Sequence, residues 1–255
     1  MGKRIRIALL LFVLATVAVG AWQARSRTTS WERALDVVVF PINGDQRSAT
    51  ADYIRSLSDG TFASIKTFMR REATRYGIRV FTPVDVYLGP QVASVPPSPP
   101  KGGSTLDVIA WSLKLRFWAW RNGQHPVLTP DVRVYAVFFD PAITRQVQHS
   151  VGLREGLIGI ANVFAATHMA EENNVIVTHE LLHTLGATDK YDPATRQPLY
   201  PDGFADPGQK PLYPQEFAEI MAGRIALSES TADTPRTLEL ALIGPRTAQE
   251  IRWRR

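Results

Sequence analysis

Residues 179–183 read His179-Glu180-Leu181-Leu182-His183, and this pentapeptide constrains the chain more than any other segment. Residues four apart on an α-helix lie one above the other, so a helix here sets both imidazoles on one side. Asn174-Val175-Ile176-Val177-Thr178 gives it an apolar approach. Leu181, Leu182 and Leu185 would pack it onto a sheet and keep the imidazoles aligned. The spacing predicts a helix over 171–186. Gly186 stands where it should stop, because glycine adopts the left-handed conformation that turns the chain sharply back.

Two imidazoles so placed can bind one Zn²⁺ through nitrogen at about 2.0–2.1 Å. Glu180 lies one residue along, within reach of the metal's water without being a ligand, and there it can act as general base. The turn at Gly186 would bring Asp189 toward the same metal. Asp192, Glu216 and Glu219 compete as the third ligand, the last two in a layout where a second helix supplies it. Two His plus one carboxylate, with an open fourth position, is the layout of a catalytic zinc site. With five His and eleven Glu in 255 residues, chance gives roughly 0.004 such pentapeptides. Requiring Gly at 186 and an acid or His at 189 lowers this to the order of 10⁻⁵.

From His179 to Asp189 the chain resembles the extended zinc-binding signature of the metzincin metallopeptidases, in its snapalysin-like variant with Asp as third ligand. The resemblance implies an α+β fold: a mixed twisted sheet, an active-site helix, and a small irregular C-terminal subdomain ending in a helix. It also implies a methionine in a tight turn beneath the metal. Met221, within Glu219-Ile220-Met221-Ala222-Gly223, suits that place. Some metzincins carry a tyrosine two residues after this methionine, where the present chain has Gly223. Tyr191, Tyr200 and Tyr213 are candidates to replace it, and nothing in the sequence selects one.

The remaining pattern gives a coarse order of elements. Leu35–Ile42 reads as a buried strand, and 48–76 as helical with a break near Asp59-Gly60. Strand character returns over 78–88. The proline-rich stretch 95–103 is a loop. Thr105–Arg121 is helical, and its aromatics Trp111, Phe117, Trp118 and Trp120 are expected in the core. Strands follow at 132–139 and 157–164, the second being a candidate edge for pairing with an extended peptide. After the metal-binding helix come an irregular 187–214, a short helical piece around Gln215–Met221 and a last helix near 245–253. The expected catalytic domain is 28–255, with subdomains of about 28–186 and 187–255. His125, His149 and His168 read as surface or loop histidines. Asp202 and Asp206 read as turn-forming acids, and Arg252, Arg254 and Arg255 as a solvated tail.

Composition limits the partners. The formal charge is +5, but Lys3, Arg4, Arg6, Arg25 and Arg27 lie in the first 27 residues, where there is no acid. Without them, 24 basic residues face 24 acidic ones, so no nucleic-acid surface is indicated. There is no cysteine, which excludes disulfides, thiolate metal sites and a cysteine nucleophile.

Residues 1–27 carry an apolar run, Ile7 to Trp22, behind three basic residues. This is the pattern of a signal anchor or signal peptide, and we rank a retained anchor ahead of cleavage. The chain is thus expected to be exported, either membrane-anchored with its catalytic domain outside the cytoplasm or secreted, and monomeric. The expected activity is that of a zinc metallopeptidase acting on a peptide or protein. A non-catalytic zinc-bound envelope protein, or a metallohydrolase of a non-protein envelope substrate, are the alternatives.

Overall fold

The computed structural model describes residues 28, 30–100, 102, 104–145, 150–153 and 156–254. Residues 1–27, here called the leader, lie outside these residues, as do His149 and Arg255. Strands β1 (Leu35–Asn43), β2 (Val84–Leu88), β3 (Val132–Phe139), β4 (Val151–Leu153) and β5 (Ile158–Phe164) form one sheet in the order β2-β1-β3-β5-β4. The first four in that order run parallel, and β4 runs antiparallel to β5. With its several helices the architecture is α+β around a mostly parallel sheet.

Parallel strands covered on both faces read as continuous apolar runs, and β1 does. Val37 and Val39 enter the larger core, while Val38, Phe40 and Ile42 enter the smaller one on the opposite face. Helices α1 (Ser48–Ser56), α2 (Ala63–Arg75) and α4 (Ala170–Leu185) supply residues to the larger core, among them Ile54, Phe68 and Leu181. Helix α3 (Thr105–Asn122) covers the other face with Trp111, Leu115, Trp118 and Ala119. Two of the four aromatics expected in the core are elsewhere: Phe117 and Trp120 are exposed. Helical spacing puts them on the far side of α3 from Leu115, so a helix lying on one sheet face cannot bury all four.

The expectation that β5 forms an open edge is also corrected. Its backbone pairs with β3 on one side and β4 on the other. Among the described residues the edge on this side of the sheet is β4, which is three residues long and too short to show as a strand by alternation.

The C-terminal part is irregular, as expected. It contains two small ladders, β6 (Ala218–Glu219) with β9 (Ala241–Leu242) and β7 (Ile225–Ala226) with β8 (Ala232–Asp233), then α5 (Pro245–Glu250). The helical piece expected around Gln215–Met221 is instead extended at β6 and then turns. Pairing with β9, together with capture of the Met221 and Ala222 amides by the Glu219 carboxylate, overrides the local helical preference. The first and last described segments meet in a seam: Trp31 Nε1 donates to the carbonyl of Ile251 at 2.7 Å, and the rings of Trp31 and Trp253 contact edge to face. Among the described residues, no helix is long and apolar enough to cross a membrane.

Candidate functional site

Helix α4 is fixed at both ends before any functional atom is considered. At its start Asn173 exchanges two hydrogen bonds with the backbone of Phe164, which anchors α4 to the end of β5. Asn174 donates to the carbonyl of Thr61 and the hydroxyl of Ser64 beside α2. Midway, Gly159 of β5 allows close approach. A Cβ placed there would stand 3.4 Å from both the Cβ and the carbonyl oxygen of Glu180. At its end Gly186 takes φ 110°, in the left-handed region, and the amides of Gly186 and Ala187 reach back to the carbonyls of His183 and Leu182.

That turn does two jobs. It directs the Ala187 carbonyl at His183 Nδ1, 2.9 Å away, and it brings Asp189 under both imidazoles. Oδ1 of Asp189 lies 3.1 Å from Nε2 of His179 and 3.1 Å from Nε2 of His183. His179 Nδ1 lies 2.9 Å from the carbonyl of Ile220. A carbonyl only accepts, so the Nδ1 atoms donate, and in the neutral rings each Nε2 keeps its lone pair facing Asp189. Of the competing carboxylates, Glu216 is exposed and does not line the cavity over the imidazoles, and the other two are occupied elsewhere. Asp192 accepts from the amides of Ala194 and Thr195, and Glu219 is buried among four donors.

Glu180 is 3% exposed, and its Oε2 has no hydrogen-bond partner. Burial pushes its carboxyl up to about 7, against the opposing pull of the two imidazoles. Burial disfavours a charged His179, yet Asp189, Glu180 and the Ile220 carbonyl together raise it to about 9. Burial likewise opposes ionisation of Asp189, but the two imidazoles facing it hold it well below the usual carboxylate range. Ligand atoms of His179, Glu180 and His183 lie within 4.8 Å of one another. The donor set of nitrogen and oxygen, with no sulfur, suits a borderline cation such as zinc. An orphaned carboxylate oxygen beside it is what a general base needs. These residues fit such an ion.

A cavity of about 460 Å³ opens over this group, lined also by Asn162, Tyr191, Arg196 and Arg224. Tyr191 is the one of the three candidate tyrosines in that lining. Tyr200 and Tyr213 both pack their rings on Phe204. Burial and then the nearby acids Asp189 and Glu180 raise the Tyr191 phenol. Met221 is fully buried in a turn below His179, where Gly223 has φ 67°. His125 accepts from two backbone amides of its own loop, and His168 sits in a short 3-10 turn; neither lines the cavity.

Sequence reasoning missed the clamp that holds Asp189. Glu250 of α5 accepts from the amide and hydroxyl of Thr188 and from the buried Nζ of Lys190, all at 2.8–2.9 Å. The Lys190 amide donates to the carbonyl of Met221 at 3.0 Å. The residues on both sides of Asp189 are therefore pinned by elements 30 or more positions downstream, and no local pattern announces such a pairing. No family model matches the chain, and no curated protein matches it either.

Proposed function

We propose that the protein is a zinc-dependent peptidase whose metal is held by His179, His183 and Asp189. The observation that carries the reading is the convergence of both Nε2 atoms on one Asp189 oxygen, beside a buried Glu180 oxygen with no partner. The order of helix, left-handed Gly186, Asp189 and the buried Met221 turn supports the likeness to metzincins and, with it, the finer fold assignment.

When bound, zinc supplies a Lewis acid that polarises the scissile carbonyl and acidifies water. Glu180 takes the proton from the attacking water at Oε2 and returns it to the leaving amine, a task suited to a carboxyl poised near neutral pH. The Ile220 and Ala187 carbonyls hold the imidazole tautomers. Tyr191 donates a hydrogen bond from its phenolic hydroxyl to the oxyanion as charge develops there and keeps its proton. An extended peptide lies along the free edge of β4, whose neighbour Ser150 lines the cavity. Depsipeptide analogues lacking the pairing amides would then bind weakly, and equal binding would remove β4 from the account.

The experiment is cleavage of a mixed peptide library by the full chain purified with zinc, beside Glu180→Ala, read by mass spectrometry. Cuts that disappear in the variant and with a chelator support the peptidase. If both proteins bind one zinc and neither cuts peptides, the non-catalytic reading replaces it. Cell-wall fragments scanned in parallel test the non-protein substrate. Failure of the parent to bind zinc sinks the whole assignment.

A further inference from the structure

Helix α3 has two apolar sides. Trp111, Leu115, Trp118 and Ala119 face the sheet. Leu106, Ile109, Leu113, Phe117 and Trp120 are between 51 and 75% exposed. At 100° per residue these five occupy an arc of about 80° opposite the buried set, forming one continuous stripe. The helix is 18 residues long, so the stripe runs for roughly 27 Å at 1.5 Å per residue. A helix that is apolar all round is normally enclosed, and a contiguous exposed patch of large side chains marks an interaction surface.

We propose that this stripe rests on the surface of a phospholipid bilayer bearing anionic headgroups. Its borders are basic: Lys114 and Arg121 follow one side, Arg116 the other. Asp107, the helix's one acid, is turned to its N-terminus, where it accepts from the amide and hydroxyl of Ser104. Trp120, its ring 5.9 Å from that of Phe117, is of the type that settles at headgroup depth, and Phe117 belongs to the apolar face that enters below it.

The first described residue lies toward this flank. Thr28 lines a cavity with Gly156, and the side chain of Arg116 reaches within 3.8 Å of where a Gly156 Cβ would stand. Residues 1–27, with the apolar run Ile7 to Trp22, precede Thr28 in the sequence. A second copy fits less well. One face of this helix, roughly 27 Å long and ~10 Å wide, falls short of the ~800 Å² per partner of a stable protein interface. The cavity over His179 and Glu180 belongs to α4, on the other face of the sheet, so a bilayer under α3 leaves it open.

The chain contains no cysteine, so a nitroxide can be placed at a single introduced thiol. The full chain carrying Leu113→Cys, Phe117→Cys or, as an exposed reference, Ser230→Cys is reconstituted in vesicles of phosphatidylcholine and phosphatidylglycerol. Collisions with oxygen, which concentrates in lipid, are compared with those of a water-soluble nickel chelate. The oxygen-to-nickel ratio at 113 and 117 should be several-fold above that at 230, and should fall in phosphatidylcholine alone. Equal ratios at all three positions overturn the proposal. So does dipolar broadening at 117, which means a second copy, or shielding from both reagents, which means that protein covers the stripe. A ratio unchanged without anionic lipid overturns the role given to Lys114, Arg116 and Arg121.

Discussion

The carboxylate of Glu219 accepts the hydroxyl of Thr247 at 2.7 Å, and both residues are fully withdrawn from solvent. The same Oε1 takes the amide of Gly244, while Oε2 takes those of Met221 and Ala222. One buried acid thereby joins the Met221 turn to the start of α5. Hydrogen bonds to a charged group are among the stronger kind, and donors left without a partner carry their full desolvation cost.

Glu219→Ala, which strands four donors, should destabilise the fold by about 3 kcal/mol or more, whereas Thr247→Val, which removes one, should cost about 1–2 kcal/mol. Denaturant unfolding of the metal-free proteins measures both. Equal losses for the two variants would show that Glu219 does not organise the turn.

Zinc binding should depend on pH through His179. In the metal-free protein its pKa is raised from 6.5 to about 9, so at neutral pH this imidazole carries a proton that a metal must displace. Apparent zinc affinity should therefore rise about tenfold per pH unit between roughly 7 and 9 and level off above. The stability of the metal-free protein should move the other way. A raised histidine pKa contributes stability that is complete below 6.5 and is lost as pH rises through about 9. Competition with a chromophoric chelator measures the first trend and thermal unfolding the second. A flat affinity profile over that range would mean that the metal displaces no proton from His179.

Tyr191→Phe should lower kcat by roughly 10²-fold while leaving KM and zinc affinity nearly unchanged, the pattern of a donor that acts only in the transition state. Steady-state kinetics on the best peptide from the library decide it. An undiminished kcat would return Tyr191 to the role of a cavity wall.

What could be read from the sequence here is what the backbone decides locally. The facing of His179 and His183 follows from helical pitch, and the approach of Asp189 from the left-handed turn at Gly186. Both need fewer than a dozen residues. Among competing acids, Glu219 was indistinguishable by type from a ligand. Its removal from the candidates rests on Gly244 and Thr247, which only the tertiary fold brings to it. Strand order is equally non-local, so β5 looked like an edge until β4 paired with it. The second apolar side of α3 was legible as composition but not as exposure, since periodicity cannot say which of two apolar sides meets the sheet.

The seam between Trp31 and the end of α5 gives the leader a mechanical meaning. A pull arriving along the chain at Thr28 reaches β1 through Trp31, and Trp31 is bonded to Ile251 and packed on Trp253. The helix just ahead of them presents Thr247 to Glu219 and Glu250 to Thr188 and Lys190. Were residues 1–27 held in a bilayer, as proposed, tension on them would be shared with the two contacts that hold the Met221 turn and the Asp189 segment in place, and load at Thr28 and geometry beneath the imidazoles would be carried by one strut.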